Sequence, residues 1–267
     1  MTMIQKSSTC NQGLLPKNNP AVSILSIIIP ALLFISCRKE SVAPGSASLA
    51  IVHLVAGSKP LAVNFNSEGP VPYKTGRQLN YRFFERVNQF KAYSGEQRLR
   101  LFQYPDTTDK DLPLFDLQLN LPVGSMNTLF LTGTVDAPDT FFTRNIIPYF
   151  PETDSSLAIR FVNLSPGNDP ISINVKGLAN GSEVSSIRYK NITDFKNYAA
   201  TQNISEYVFE FRDAISGDSI TSYTIPDINV PGTESPNIRR YRSFTLALTG
   251  EAGGVGDRAR AGFLVSH

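Results

Sequence analysis

The chain is written twice. "SLAI" stands at Ser48 to Ile51 and again at Ser156 to Ile159, and further matches follow in the same order. "PLAVNF" (Pro60 to Phe65) answers "PISINV" (Pro170 to Val175), and "FKAY" (Phe90 to Tyr93) answers "FKNY" (Phe195 to Tyr198). "LNLP" (Leu119 to Pro122) answers "INVP" (Ile228 to Pro231), and "LFLTG" (Leu129 to Gly133) answers "LALTG" (Leu246 to Gly250). The offsets run 108, 110, 105, 109 and 117, so small length changes separate the blocks, as loops tolerate. Two units of about a hundred residues follow, at 48–150 and 156–267, with "IPYFPETDS" (Ile147 to Ser155) as a short connector. Units of this size are domains rather than solenoid repeats.

The matched blocks have the alternation of half-buried strands. Leu157, Ile159 and Phe161 alternate with Ala158, Arg160 and Val162; Ile171, Ile173 and Val175 alternate with Ser172, Asn174 and Lys176. Further strands are expected at "RLRLFQY", "LFDLQLNL", "EYVFEFRD", "SITSYTI", "FTLALTG" and "GFLVSH", divided by turn signals such as "SPGNDP", "LPVGS" and "SGD". No long amphipathic helix is expected; "ITDFKNYAA" has room for one helical turn. About seven short strands per unit predict an all-β chain of two tandem immunoglobulin-like antiparallel sandwiches.

Ahead of the repeat, residues 1–20 carry Lys6 and Lys17 and no acid, and Ala21 to Ile35 is almost wholly apolar. A basic region, a short apolar region and a small residue describe an export signal, too short for a spanning helix of about 20 residues. The stretch "FISC" (Phe34 to Cys37) resembles the lipobox of bacterial lipoprotein precursors, with Ser36 as the small residue before the cut. That resemblance implies a signal peptide over 1–36, diacylglyceryl modification and acylation at Cys37, and attachment to a membrane. Several acyl chains at roughly 0.8 kcal/mol per buried CH₂ make a stable anchor. The polar stretch to residue 47, "RKESVAPGSA", then reads as a flexible stalk. Cys10 leaves with the signal, so no disulfide framework is expected.

The whole layout resembles a domain of unknown function found in tandem in Gram-negative envelope lipoproteins. The resemblance is clearest over "LAIRFVNLSPGNDPISINVKG" and the "FKNY…EYVFEF" block; in the first unit "HLVAGSKP" takes the place of "FVNLSPGNDP". It implies a β-sandwich and an outer-membrane location, with surface display in some members. It brings no assigned activity, so no functional residue carries over.

Charge excludes some partners. The chain has 25 Lys and Arg against 23 Asp and Glu. Loss of Lys6 and Lys17 with the leader leaves a balanced surface, without the footprint of a nucleic-acid binder.

The chemical inventory is thin. A nucleophilic triad needs a base with a pKa near working pH. Of two histidines, His267 is expected to fray, and His53 aligns with Phe161 of the second unit, a packing position. Zinc-type clusters of Cys and His are missing from the sequence. Asp106, Asp109 and Asp111 in "DTTDKD" lack the spacing and glycine of a calcium loop. "GEAGGVGDR" (Gly250 to Arg258) has no helix beside it to complete a phosphate cradle and reads as a flexible hairpin. Glu206 with Glu210, and Asp136 with Asp139, look like ordinary surface charge. Catalytic, cofactor-binding and metal residues are therefore expected to be none.

The aromatic clusters around Tyr81 to Tyr93 and Tyr189 to Tyr198 read as packing. Tyr93 and Tyr198, in their shared "FKxY" setting, are the candidate ligand-facing aromatics. The expected function is a non-enzymatic envelope lipoprotein, structural or protein-binding, with a carbohydrate-binding accessory module as the alternative. Partners are the membrane, through Cys37, and an envelope protein or glycan.

Overall fold

A computed structural model describes residues 45–65, 76–105, 111–167, 169–233 and 236–267, which belong to one compact unit. Cys37, the signal and most of the stalk lie outside the described residues, as do Asp106 and Asp109. Among the described residues no helix is long and apolar enough to cross a membrane.

Among the described residues the first half holds eight strands. They are β1 (Ser46–His53), β2 (Leu61–Asn64), β3 (Gln78–Leu79), β4 (Gln89–Tyr93), β5 (Gly95–Gln103), β6 (Phe115–Leu121), β7 (Met126–Gly133) and β8 (Pro138–Arg144). One sheet runs β4-β1-β7-β8 and the other β3-β2-β5-β6. The second half repeats this with β9 (Ser156–Asn163), β10 (Ile171–Val175), β11 (Val184–Ile187), β12 (Asn191–Ile192), β13 (Lys196–Ala199), β14 (Tyr207–Asp213), β15 (Ser219–Ile225), β16 (Ser243–Thr249) and β17 (Ala261–Ser266). Its sheets are β12-β9-β16-β17, with β13 also on β9, and β11-β10-β14-β15. The "ITDFKNYAA" segment is thus strand rather than helical turn.

The chain is all-β, and its sheets form sandwiches. The pairing is not antiparallel throughout: β1 runs parallel to β7, and β9 parallel to β16. β1 and β7, like β9 and β16, are joined through most of their half rather than by a hairpin, so antiparallel geometry is not imposed. The four-and-four division of the first half, and the five-and-four of the second, also differ from the seven-strand ABED and CFG arrangement of immunoglobulin constant domains.

Each sandwich closes on its own core. Leu49, Ile51, Leu99, Leu101, Leu129 and Leu131 meet in the first. Ile159, Phe161, Phe209, Phe211, Phe244 and Leu246 meet in the second. A third apolar layer joins the halves: Val52, Leu54 and Phe130 pack with Val162, Leu164, Ala247 and Val265, flanked by Phe141 and Phe263. The sandwiches therefore stand back to back.

Strand registers show that this joint is nearly symmetric. His53 pairs with Leu131 and Asn163 with Leu248, so His53 corresponds to Asn163. By the same registers Val52 corresponds to Val162, Leu54 to Leu164 and Phe141 to Phe263. Equivalent residues facing each other are the signature of an isologous, two-fold interface, here built inside one chain. Polar clasps repeat the exchange. Tyr81 Oη donates to the Asp257 carbonyl at 2.7 Å, and Arg82 reaches the Ala259 carbonyl. In return Tyr189 Oη and Lys190 Nζ reach Asp139 at 3.1 and 2.8 Å. Arg82 and Lys190 share a left-handed φ of 51° and 60°, and their amides bond to His53 and Asn163 carbonyls respectively. A strained backbone conserved between the two copies places the clasp each time.

Candidate functional site

The outer face of the sheet β4-β1-β7-β8 is covered by the second half over Val52, Leu54, Phe130 and Thr132, with Phe141 and Asn145 beside them. Beyond them lies a shelf of small side chains, Ser46, Ser48 and Ala50, which alternate with Ala47, Leu49 and Ile51 of the core. Larger neighbours stand on either side: Gln89, Lys91 and Tyr93 from β4, and Met126 from β7. The result is a trough of about 400 Å³ over Ser46 and Ser48, continued by a hollow of about 270 Å³ beside Lys91 and Tyr93. At its inner end, where the halves meet, a cavity of about 130 Å³ is bounded by Ala50, Gln89, Asn127, Asn145 and His267.

The trough lies along an open edge. The Ser94 amide bonds to the Gly45 carbonyl at 2.8 Å, which fixes the alternation of the β1–β4 ladder. By that alternation Gln89, Lys91 and Tyr93 turn their backbone groups away from β1. Arg77 takes the Gln89 carbonyl at 2.7 Å and lays its guanidinium over Phe90. Among the described residues nothing pairs with the backbone of Lys91 or Tyr93.

The corresponding shelf of the second half is closed. Ser156, Ala158 and Arg160 are buried there, where Ser46 and Ser48 are exposed. Arg160 stands at its inner end, in the place of Ala50. Its Nε donates to Thr245 Oγ1 at 2.9 Å, an Nη donates to Asn145 Oδ1 at 2.6 Å, and its guanidinium lies 4.7 Å from the Phe195 ring centre. Among the described residues no carboxylate is within ion-pair distance of it. Burial draws the Arg160 pKa down to about 10.

The two tyrosines do not share a setting. Tyr93 is 64% exposed on the rim of the trough, whereas Tyr198 is 7% exposed within the second core. Tyr198 donates a short hydrogen bond to Glu183, which also pairs with Lys196 at 2.7 Å. Burial and the adjacent carboxylate push the phenol pKa up. Burial works against the Glu183 charge, but these partners outweigh it and hold its carboxyl below the usual range. The reason is register. Tyr93 faces Ser46 on β1, whereas Tyr198 faces Leu157 on β9, the counterpart of Ala47. The "FKxY" match is therefore one residue out of step, and one residue exchanges the faces of a strand. Tyr198 corresponds to Ala92, and the expectation that it faces a ligand is corrected.

Both histidines have structural positions. His53 Nδ1 accepts the Val55 amide at 3.4 Å and Nε2 lies 2.8 Å from Ser58 Oγ; burial lowers its pKa to about 4. Its counterpart is Asn163 rather than Phe161, and Asn163 Oδ1 accepts the Ser165 amide at 3.0 Å in the same way. His267 does not fray. Its amide bonds to Ser243 at 2.9 Å, its Nε2 lies 2.6 Å from Thr245 Oγ1, and burial with the Arg160 charge lowers its pKa to about 3. The glycine-rich stretch links β16 to β17 as a hairpin, closed by the Glu251–Arg258 ion pair and held by Tyr81. Asp139 holds Lys190 and Tyr189 across the joint, while Glu210 meets Arg212 at 3.0 Å and Asn174 at 2.9 Å.

No family model matches the chain, and no curated protein matches it. One solved structure, described as "Alpha-glucan binding by a streptococcal virulence factor", is similar to it at 12% identity, over 76% of this chain and 93% of that one. The TM-score of 0.22 is too low for that likeness to bear on fold detail or function.

Proposed function

We propose that this chain is a non-catalytic binding protein of the cell envelope, held to the membrane through acyl chains on Cys37, and that it takes an extended protein segment at the open shelf of its first half. One observation carries the reading: of two equivalent shelves, the second is buried and holds Arg160, while the first is open beside a strand edge that none of the described residues pairs. Backbone groups presented by an edge strand are matched by another peptide backbone, and neighbouring hollows then select side chains. The structural use of both histidines supports a non-catalytic role. The anchor and the kinship with tandem envelope lipoproteins rest on "FISC", the stalk and the duplication.

The test compares the full-length lipoprotein with its Ser46→Trp variant, which fills the trough from an exposed position. The variant is expected to keep its thermal midpoint and to lose at least tenfold in capture of the envelope protein retained from detergent-solubilised membranes. Unchanged capture overturns the trough as the site. A reproducible glycan-array signal that disappears in the same variant replaces the protein ligand by a carbohydrate, with Tyr93 as its aromatic rim. Mass analysis of the mature amino terminus is expected to give acylated Cys37; an uncut chain with a free thiol overturns the anchor.

A further inference from the structure

Strand directions fix which residues share an end of the molecule. At one end β1, β7, β9 and β16 begin, and β4 and β8 finish. The two halves set these ends side by side: Arg160 near the start of β9 reaches Asn145 just past β8, while at the opposite end Tyr81 reaches Asp257. Gly45 leads into β1 at the first of these ends. Its carbonyl accepts the Ser94 amide at 2.8 Å, and a Cβ on it would lie 2.8 Å from a Val123 methyl. Cys37 stands eight residues earlier in the sequence, so the chain between them spans at most about 29 Å.

Large apolar side chains stand exposed around that point. Val123 neighbours Gly45, Tyr93 closes β4, and Ile146 and Tyr149 follow β8. Val123, Ile146 and Tyr149 are 71%, 81% and 85% exposed. The second half adds exposed Ile238 and Tyr241 from the loop before β16, placed at this end by the Tyr241 amide on the Ser156 carbonyl at 2.7 Å. Lys91, Arg144 and Arg242 are exposed among them, and none forms an ion pair with another described residue. Glu96 and Glu152 are exposed as well, so the charge is mixed and the apolar side chains set the character of this end. At the opposite end Leu112, Ile215 and Val255 are exposed too, but on three separate loops and away from Gly45.

Rings and aliphatic side chains interleaved with Arg and Lys suit the boundary of a bilayer. Tyrosine rings sit at headgroup level, apolar tips enter the acyl boundary, and long cations reach the phosphates. A few side chains at roughly 25 cal/mol per Å² make a contact too weak to recruit a free protein. A short tether changes that, because it presents the contact at an effective concentration in the millimolar range.

We infer that this end of the molecule is a membrane-contact surface, lying against the phospholipid interface with Val123, Ile146 and Tyr149 at its apolar centre. This rests on the anchor at Cys37 and not on the trough. Departure of Cys10 with the signal and acylation of Cys37 leave no free thiol, so one introduced cysteine takes one dye. The full-length lipoprotein is prepared as Val123→Cys, Tyr149→Cys or Val255→Cys and labelled with a nitrobenzoxadiazole dye. It is then placed in phosphatidylethanolamine–phosphatidylglycerol vesicles that carry nitroxide lipids.

Quenching of at least twofold is expected from the dyes replacing Val123 and Tyr149, and none from the dye replacing Val255. Val123→Asp in the Tyr149→Cys protein is expected to cut the quenching at least twofold with an unchanged thermal midpoint. Equal quenching at all three positions, or none at any, overturns the contact. So does shielding of the first two dyes from aqueous iodide without nitroxide quenching, which places a second copy of the chain there. Flotation separates the two readings. Protein that floats with the vesicles but is not quenched keeps the anchor and loses the contact; protein that does not float lacks the anchor, and the contact falls with it.

Discussion

At the scale of residues, His53 and Asn163 show one task done by two side chains. Each ends the first strand of its half by accepting the amide two residues on. Only the histidine titrates. Its folded pKa of about 4 lies below the ordinary 6.5, so between these values the unfolded chain binds the extra proton and stability rises with pH. That stability is present in full above pH 6.5 and is lost on acidification, by about 2 kcal/mol between pH 6.5 and 5. His53→Asn is expected to keep the turn and remove this share of the acid sensitivity, read from urea midpoints across pH. An unaltered slope would show that the imidazole is not the titrating group. The tyrosines divide just as clearly. Tyr198→Phe leaves Glu183 with one fewer donor in a buried site and is expected to cost about 1–3 kcal/mol. Tyr93→Ala, on the exposed rim, is expected to stay within about 0.5 kcal/mol in the same denaturation experiment.

At the scale of elements, register decides what an internal match means. The blocks "LFLTG" and "LALTG" are true counterparts, because each ends in a feature that permits no slip. The feature is a left-handed glycine. Gly133 and Gly250 have φ of 80° and 82°, and a Cβ on either would lie 2.3 Å from a carbonyl oxygen of the following hairpin. Replacement of either by Ala is expected to cost at least about 1–2 kcal/mol from the left-handed backbone alone. Calorimetry checks this; a neutral effect at one site would mean that hairpin can relax. The "SLAI" match, by contrast, is two residues out, because an alternating strand resembles itself after a two-residue shift. That slip was enough to set His53 against Phe161 rather than Asn163. Strand positions were legible in their periodicity, down to "SITSYTI" as Ser219–Ile225. The trough was not, since a run of small residues is unremarkable until its neighbours are known to be large and its counterpart is known to be covered.

At the scale of the whole molecule, the duplication is legible in the repeated blocks, whereas the joint between the two copies is marked only faintly. The signal lay in strands apolar on both faces: Ile51 with Val52, Leu129 with Phe130, and Leu246 with Ala247. Such strands are buried from both sides, and here the second side is the other half of the chain. The joint makes one cooperative body out of two cores, and it closes one shelf while leaving the other open. Phe130 belongs to neither sandwich core and is fully buried in the joint. Phe130→Ala is therefore expected to cost about 3–5 kcal/mol by loosening the halves from each other rather than by disordering one of them. Native-state hydrogen exchange separates these outcomes. In the parent protein, amides of β5 and β14 are expected to open in a single global event with equal free energies. In the variant the two sets are expected to diverge as the halves open independently. Equal protection of both strands at a lowered free energy would show that the joint is not what couples them, and that the cores communicate through the connector and the polar clasps instead.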